Sequence, residues 1–151
     1  MGYILEAFVA SRSDLEIICQ RFLNAHLVSL NQGLAMIPMT EDLYDEINTE
    51  RDMEPVESFV LLTKAIEDKI LGAFKGSLLG YFEADYFGGQ GGQIAIVWKN
   101  GERLMNSKGD RIAINLLLRQ FGIHTIQGKD EFDSVGLGKF RNIEDWLKKG
   151  Y

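Results

Sequence analysis

The sequence predicts an α+β protein: a mostly antiparallel sheet with helices packed on one side. Three observations predict it. Strand-like and helix-like segments are mixed without regular βα alternation. Asn100-Gly101, set between two strand-like runs, is a strong two-residue hairpin turn. No low-complexity linker divides the 151 residues, so one domain over 1–151 with a real core is expected.

Taken in order, Tyr3 to Ala10 reads as a first strand. Ser11 or Ser13 then caps a helix with Asp14 and Glu16 near its positive end. Leu15, Ile18, Phe22 and Leu23 recur at helical spacing and form its apolar stripe, with Cys19 beside it as a small core residue. His26 to Leu30 and Leu34 to Met39 bracket Asn31-Gln32-Gly33 as a hairpin, and Pro38 argues for an edge position. Thr40 caps a helix through about Thr49. Arg51 to Glu57 is a polar loop. Ser58 is expected to cap a longer helix whose stripe is Leu62, Ile66 and Ile70, with Gly72 and Gly76 as end signals.

Leu78 to Tyr86 and Gln93 to Trp98 read as strands joined by a glycine-rich connection. Glu102 to Met105 completes a meander. Ser107 or Asp110 opens a helix carrying Ile112, Ile114, Leu117, Leu118 and Phe121, closed by Gly122. His124 to Gln127 reads as a short strand and Asp130 to Phe140 as a loop. Asn142 caps a last helix anchored by Trp146.

Composition narrows the function classes. The net charge is -6, and 41–57 alone holds eight acids against Arg51; the rest, with 14 acids and 15 bases, is almost neutral. A near-neutral body with one acidic segment repels phosphate backbones and attracts basic partners, so no nucleic acid is expected. Apolar runs fall short of the roughly 20 residues that span a bilayer, so no membrane partner is expected. Glu6 interrupts the short apolar run near the start, so no secretory signal is expected either. With Cys19 as the single cysteine, a reducing cytoplasm is the expected compartment.

Familiar catalytic patterns fail. Gly138-Lys139 is followed by Phe140, and Asp133 stands where a phosphate-binding loop needs its first glycine. From Gly89-Gln90-Gly91 the last dinucleotide-motif position is Ile94, and from Gly136-Leu137-Gly138 it is Arg141. Gly88-Gly89-Gln90 and Gly91-Gly92-Gln93 spell the tripeptide of peptide-release factors, which must bind RNA. This acidic chain is not expected to do so. His26 and His124 have neither a G-x-S-x-G elbow nor an H-x-x-x-H spacing to serve, and Asp130-Glu131-Phe132-Asp133 lacks EF-hand spacing. No metal or cofactor is therefore expected.

The stretch Gly80 to Trp98 holds the remaining chemistry. Glu83 and Asp85 are two apart on a strand and project from one face, with Tyr81 and Phe87 as neighbours. A carboxylate pair can split its protonation and do acid–base work. Tyr81, Glu83, Asp85, Gln90 and Gln93 thus form a candidate ligand site. The rival working surface is the acidic segment, with Glu41, Asp42, Asp45, Glu46, Glu50 and Asp52 joining Glu83 and Asp85 against a basic partner.

Two stretches carry a resemblance: Tyr81-Phe82-Glu83-Ala84-Asp85-Tyr86-Phe87-Gly88-Gly89 through Ile94-Ala95-Ile96-Val97-Trp98, and Asp130-Glu131-Phe132-Asp133 through Gly136-Leu137-Gly138 to Glu144-Asp145-Trp146-Leu147. They are similar to small bacterial proteins without an assigned activity, some of the type found among toxin-immunity genes. The resemblance covers about the second half of the chain and brings no catalytic residues. It implies a small intracellular immunity protein that binds and neutralises a basic toxin domain without catalysis. Two expectations stand beside it: a small-ligand binder or hydrolase using Glu83 and Asp85, and a homodimer formed through an exposed sheet edge.

Overall fold

The computed structural model describes residues 2–87, 90–108 and 112–149, with the side chains of Phe87, Gln90 and Lys149 excepted. The elements in chain order are β1 (Tyr3–Ser11), α1 (Arg12–Arg21), β2 (Val28–Ser29), β3 (Leu34–Pro38), α2 (Glu41–Ile47), α3 (Lys64–Ala73), β4 (Leu78–Phe87), β5 (Gln90–Lys99), β6 (Glu102–Lys108), α4 (Ala113–Gln120), α5 (Glu131–Ser134) and α6 (Ile143–Lys149). The six strands form one sheet in the order β2-β3-β1-β4-β5-β6, antiparallel throughout. The α+β class and the antiparallel sheet are those the sequence predicts. Among the described residues no helix is long and apolar enough to cross a membrane.

The helices cover both faces of the sheet, which corrects the one-sided packing expected. Phe8, Ile37, Tyr81, Ile96 and Trp98 meet α1, α2 and α3 on one face. Leu5, Val9, Met36, Phe82 and Val97 meet α4 and α6 on the other. The physical reason is visible in the strands. Ala7 to Ala10 and Ala95 to Trp98 are buried at every position, and such continuous apolar runs belong to strands covered on both faces. Gly80 helps bring the second layer close, since a Cβ there would lie 2.9 Å from the Leu117 side chain of α4.

Other boundaries move for local reasons. Pro38 does not make β3 an edge strand, for β3 sits between β2 and β1. However, β2 pairs only as far as Met36, so Pro38 lies where β3 has no outer neighbour. Residues 124–127 form no strand, and a short helix, α5, lies inside the expected 130–140 loop. Ser107 belongs to β6, and Asp110 lies outside the described residues. No side chain caps α4 at Ile112; instead Gln93 Oε1 accepts the free N–H of Ile114 at 3.0 Å.

The largest shift is at α3. Ser58 does not start that helix; Thr63 does, its hydroxyl accepting the N–H of Ile66 at 3.3 Å. Residues 58–62 are irregular, and a carboxylate from the sheet takes the backbone donors of Val60, Leu61 and Leu62, as described next.

Candidate functional site

Antiparallel register sets the site. Glu6 of β1 stands directly opposite Glu83 of β4, and Ile4 opposite Asp85. On the other side of β4, Glu83 pairs with Ile94 and Asp85 with Gly92, while Ile94 pairs with Lys108 of β6. Side chains alternate across a sheet, so Glu6, Glu83, Asp85, Ile94 and Lys108 share one face, that of α1, α2 and α3. The irregular 58–62 segment crosses beside them. Between it and the strands lies a cleft of about 420 Å³, bordered by Glu6, Asp85 and Lys108 with Val60, Leu61 and Ile94 as apolar wall. That volume is within the usual range for small-ligand sites.

Glu83 organises the wall. Its Oε1 accepts the N–H of Val60 at 2.6 Å, and its Oε2 accepts those of Leu61 at 2.8 Å and Leu62 at 3.2 Å. The buried Tyr81 hydroxyl also donates to Oε2, at 2.8 Å. Four donors on two oxygens nearly exhaust this carboxylate's acceptor capacity. Burial and the neighbouring Glu83 charge push the Tyr81 hydroxyl well above the usual phenol range, so it stays a donor. Glu83 therefore acts first as an anchor for the cleft wall.

Glu6 is the cleft acid that burial perturbs. Burial, followed by the charges of Glu83 and Asp85, raises its carboxyl from 4.5 to about 7. Asp85 is exposed at the mouth of the cleft, and Lys108 Nζ donates to Ser58 Oγ at 3.1 Å across it. A group entering here would meet the Glu6 and Asp85 carboxyls on one side and Lys108 on the other. Among the described residues no group of three acids, histidines or cysteines comes together as a metal site.

The pKa of Glu6 has a consequence for stability. Between about pH 4.5 and 7 the folded chain holds a proton that the unfolded chain has released, so stability falls as pH rises through that window. Glu6→Gln is expected to remove this fall, gaining on the order of 2 kcal/mol over wild type at pH 8 relative to pH 4.5. Urea midpoints of the two proteins at both pH values measure it; parallel pH profiles would refute it.

The expected site residues distribute unevenly. Tyr81, Glu83 and Asp85 come together as read. Gln93 does not join them: it pairs with Ala84, whose side chain belongs to the opposite face, and its own amide serves α4. Gln90 is described only in its backbone pairing with Phe87. Gly88 and Gly89 lie outside the described residues. Gly91 and Gly92 are strand residues of β5, so the connection is shorter than expected. Gly91 has φ +133, and a Cβ there would run into the carbonyl of Asp85. Both histidines are exposed and neither borders the cleft.

In the acidic segment, most carboxylates are occupied inside the fold. Glu46 accepts the N–H groups of Leu23 and Asn24, each at 2.8 Å, and so tethers the end of α1. Asp52 accepts from Glu54 and Ala65 at 3.0 and 3.1 Å. Glu50 pairs with Lys69 at 2.8 Å, while Lys69 also caps α2 by donating to the carbonyl of Ile47. These bonds hold Glu46, Glu50 and Asp52 below the usual carboxylate range, in Glu46 against an opposing burial effect that is the largest single one. Glu41, Asp42 and Asp45 are exposed, and among the described residues nothing pairs with their carboxylates. They share a layer with the cleft: Met39, two residues before α2, donates its N–H to the carbonyl of Glu6 at 2.8 Å.

Glu6, Ser58, Val60, Leu61 and Lys108 are site residues that sequence reasoning missed. Glu6 alone left a signal, as a lone acid inside an otherwise apolar strand. No protein-family model matches the chain, and no curated protein or solved structure matches it.

Proposed function

We propose that this protein binds a basic protein partner on the α2 and cleft side of its sheet, as an immunity protein that neutralises a bacterial toxin in the cytoplasm. The observation that carries this reading is the disposition of the acids. Glu41, Asp42 and Asp45 are exposed acids of α2, a helix on the same side of the sheet as the cleft with Glu6 and Asp85, while acidic neighbours such as Glu46 and Asp52 are used up internally. Such a surface steers a cationic partner and gives it a recess for one basic side chain, framed by the exposed apolar Val60. Catalysis has less support: the cleft holds no histidine, and Glu83 is committed to four donors.

The experiment is binding to the basic product of an adjacent gene, measured by calorimetry. The triple reversal Glu41→Lys, Asp42→Lys, Asp45→Lys is expected to weaken binding at least about tenfold and to steepen the loss on adding Asp85→Lys. The thermal midpoint should fall by only a few degrees, because among the described residues none of the three side chains makes a bond in the fold and only Glu41 and Asp42, in the first turn of α2, lose a favourable contact with its dipole. Unchanged affinity would remove α2 from the interface.

A second reading takes the cleft as the site of a small cationic ligand, and the apolar wall of Val60, Leu61 and Ile94 in a 420 Å³ volume favours it. It differs in its test. Small amines or guanidines would bind without any partner, and Asp85→Asn would abolish that binding while the α2 reversal would not.

A further inference from the structure

We propose that a second cavity, on the opposite face of the sheet from the acidic cleft, binds a carboxylate. It lies between the β2–β3 turn and the connection from α5 to α6, and has a volume of about 270 Å³. Two hydrogen bonds clamp its walls together: Asn31 N–H to the carbonyl of Val135 at 3.0 Å, and Asn31 Nδ2 to the carbonyl of Ser134 at 3.3 Å. Gly136, at φ +91, keeps the passage open where a Cβ would lie 3.4 Å from the Asn31 amide.

The chemistry of the lining points one way. Trp146 lines the cavity, is 2% exposed, and its indole Nε1 is buried without a hydrogen-bond partner among the described residues. An indole nitrogen is a donor and nothing else, and buried donors almost always have partners. What is missing is an acceptor. Lys139 adds a positive charge, its Nζ 5.4 Å from the Phe140 ring, which itself packs edge-on against Trp146 at 4.8 Å. Ser29 adds a hydroxyl that takes a hydrogen bond from the Arg12 guanidinium, placing a second cation behind it. Among the described residues no carboxylate lines this cavity, in a chain of net charge -6. One buried N–H and one ammonium match the two oxygens of a carboxylate; a phosphate would bring more acceptors than these donors serve. The carboxylate is that of a small organic acid or of a peptide C-terminus.

Proton–nitrogen correlation spectra of the full chain test this directly, because the chain has two tryptophans and hence two indole signals. Trp146→Phe assigns them. Trp98 is an internal control, since its Nε1 already donates to Glu67 at 2.7 Å. Titration with sodium acetate, against sodium chloride at equal ionic strength, is expected to move the Trp146 indole proton downfield and saturably while Trp98 stays fixed. Lys139→Gln, an exposed substitution, is expected to raise the dissociation constant by about fivefold or more. A short peptide with a free C-terminus, compared with its amide, distinguishes the sources: tighter binding of the free acid than of acetate assigns a chain end, and equal or weaker binding a small acid. No saturable movement up to about 50 mM acetate or peptide would overturn the proposal. So would a response to inorganic phosphate alone, or a long-lived water on the Trp146 N–H that acetate fails to displace.

Discussion

Replacing Glu83 with alanine is expected to lower folding stability by about 3–5 kcal/mol, the range for removing one partner from a buried charged network. The cause is what stays behind. The N–H groups of Val60, Leu61 and Leu62 and the hydroxyl of Tyr81 all lose their acceptor, and Leu62 and Tyr81 are fully buried. Each stranded donor costs about 1–3 kcal/mol where water cannot reach it. Glu83→Gln should fall between wild type and alanine, since its carbonyl still accepts while its amide faces donors. Urea unfolding gives the stability change, and amide exchange at 60–62 gives its location. A loss below about 1 kcal/mol, or one without faster exchange in that segment, would show that the carboxylate does not hold the wall.

Glu67 anchors a second network, and Glu67→Ala is expected to cost about 2–4 kcal/mol. Its carboxylate accepts from Trp98 Nε1 at 2.7 Å and from Arg103 at two nitrogens, Nε at 2.8 Å and Nη2 at 2.7 Å. Trp98 is among the largest fully buried side chains, so its N–H would be stranded in the core between the sheet and α1, α2 and α3. Arg103 is 36% exposed at its side chain, so its share of the loss is screened and smaller. Burial raises the Glu67 carboxyl, but the bonds from Arg103 and Trp98 outweigh it and hold the group below the usual range. The sign follows: the contribution is fully present above the unfolded carboxyl range and is lost as pH falls through the folded value. Urea midpoints from pH 7 down to pH 3 should therefore fall less steeply in Glu67→Gln than in wild type. Equal slopes would deny Glu67 this role.

Much of the fold was legible in local chemistry. Asn100-Gly101 turns with φ of +52 and +82, and Gln32-Gly33 with +62 and +77, as paired left-handed positions require. Thr40 and Asn142 cap as read. The two-sided cover of the sheet was not read: Ala7–Ala10 and Ala95–Trp98 are unbroken apolar runs in the sequence, but an apolar run does not say what lies on its second face. The start of α3 was not legible. Ser58 is as good a cap as Thr63 in sequence, and the choice is made by Glu83, which is 21 residues beyond Leu62. The site split the same way. Period-two spacing put Glu83 and Asp85 together, whereas Gln93 depended on the register across the glycine-rich connection. Pairing of Phe87 with Gln90 fixes that register and turns Gln93 to the other face.

The two margins of the sheet are unequal, and this bears on assembly. On one side β2 offers two residues before Pro38, while on the other β6 presents seven from Glu102 to Lys108. Among the described residues only β6 offers a long run of edge backbone, and Glu102, Arg103 and Lys108 set charges along it. Two copies meeting there would pair β6 with β6 about a twofold axis, each consuming the long margin of the other. What remains outward is the pair of short margins, too brief to recruit a third copy. Pairing at β6 would close on itself as a dimer and leave no long margin for a filament.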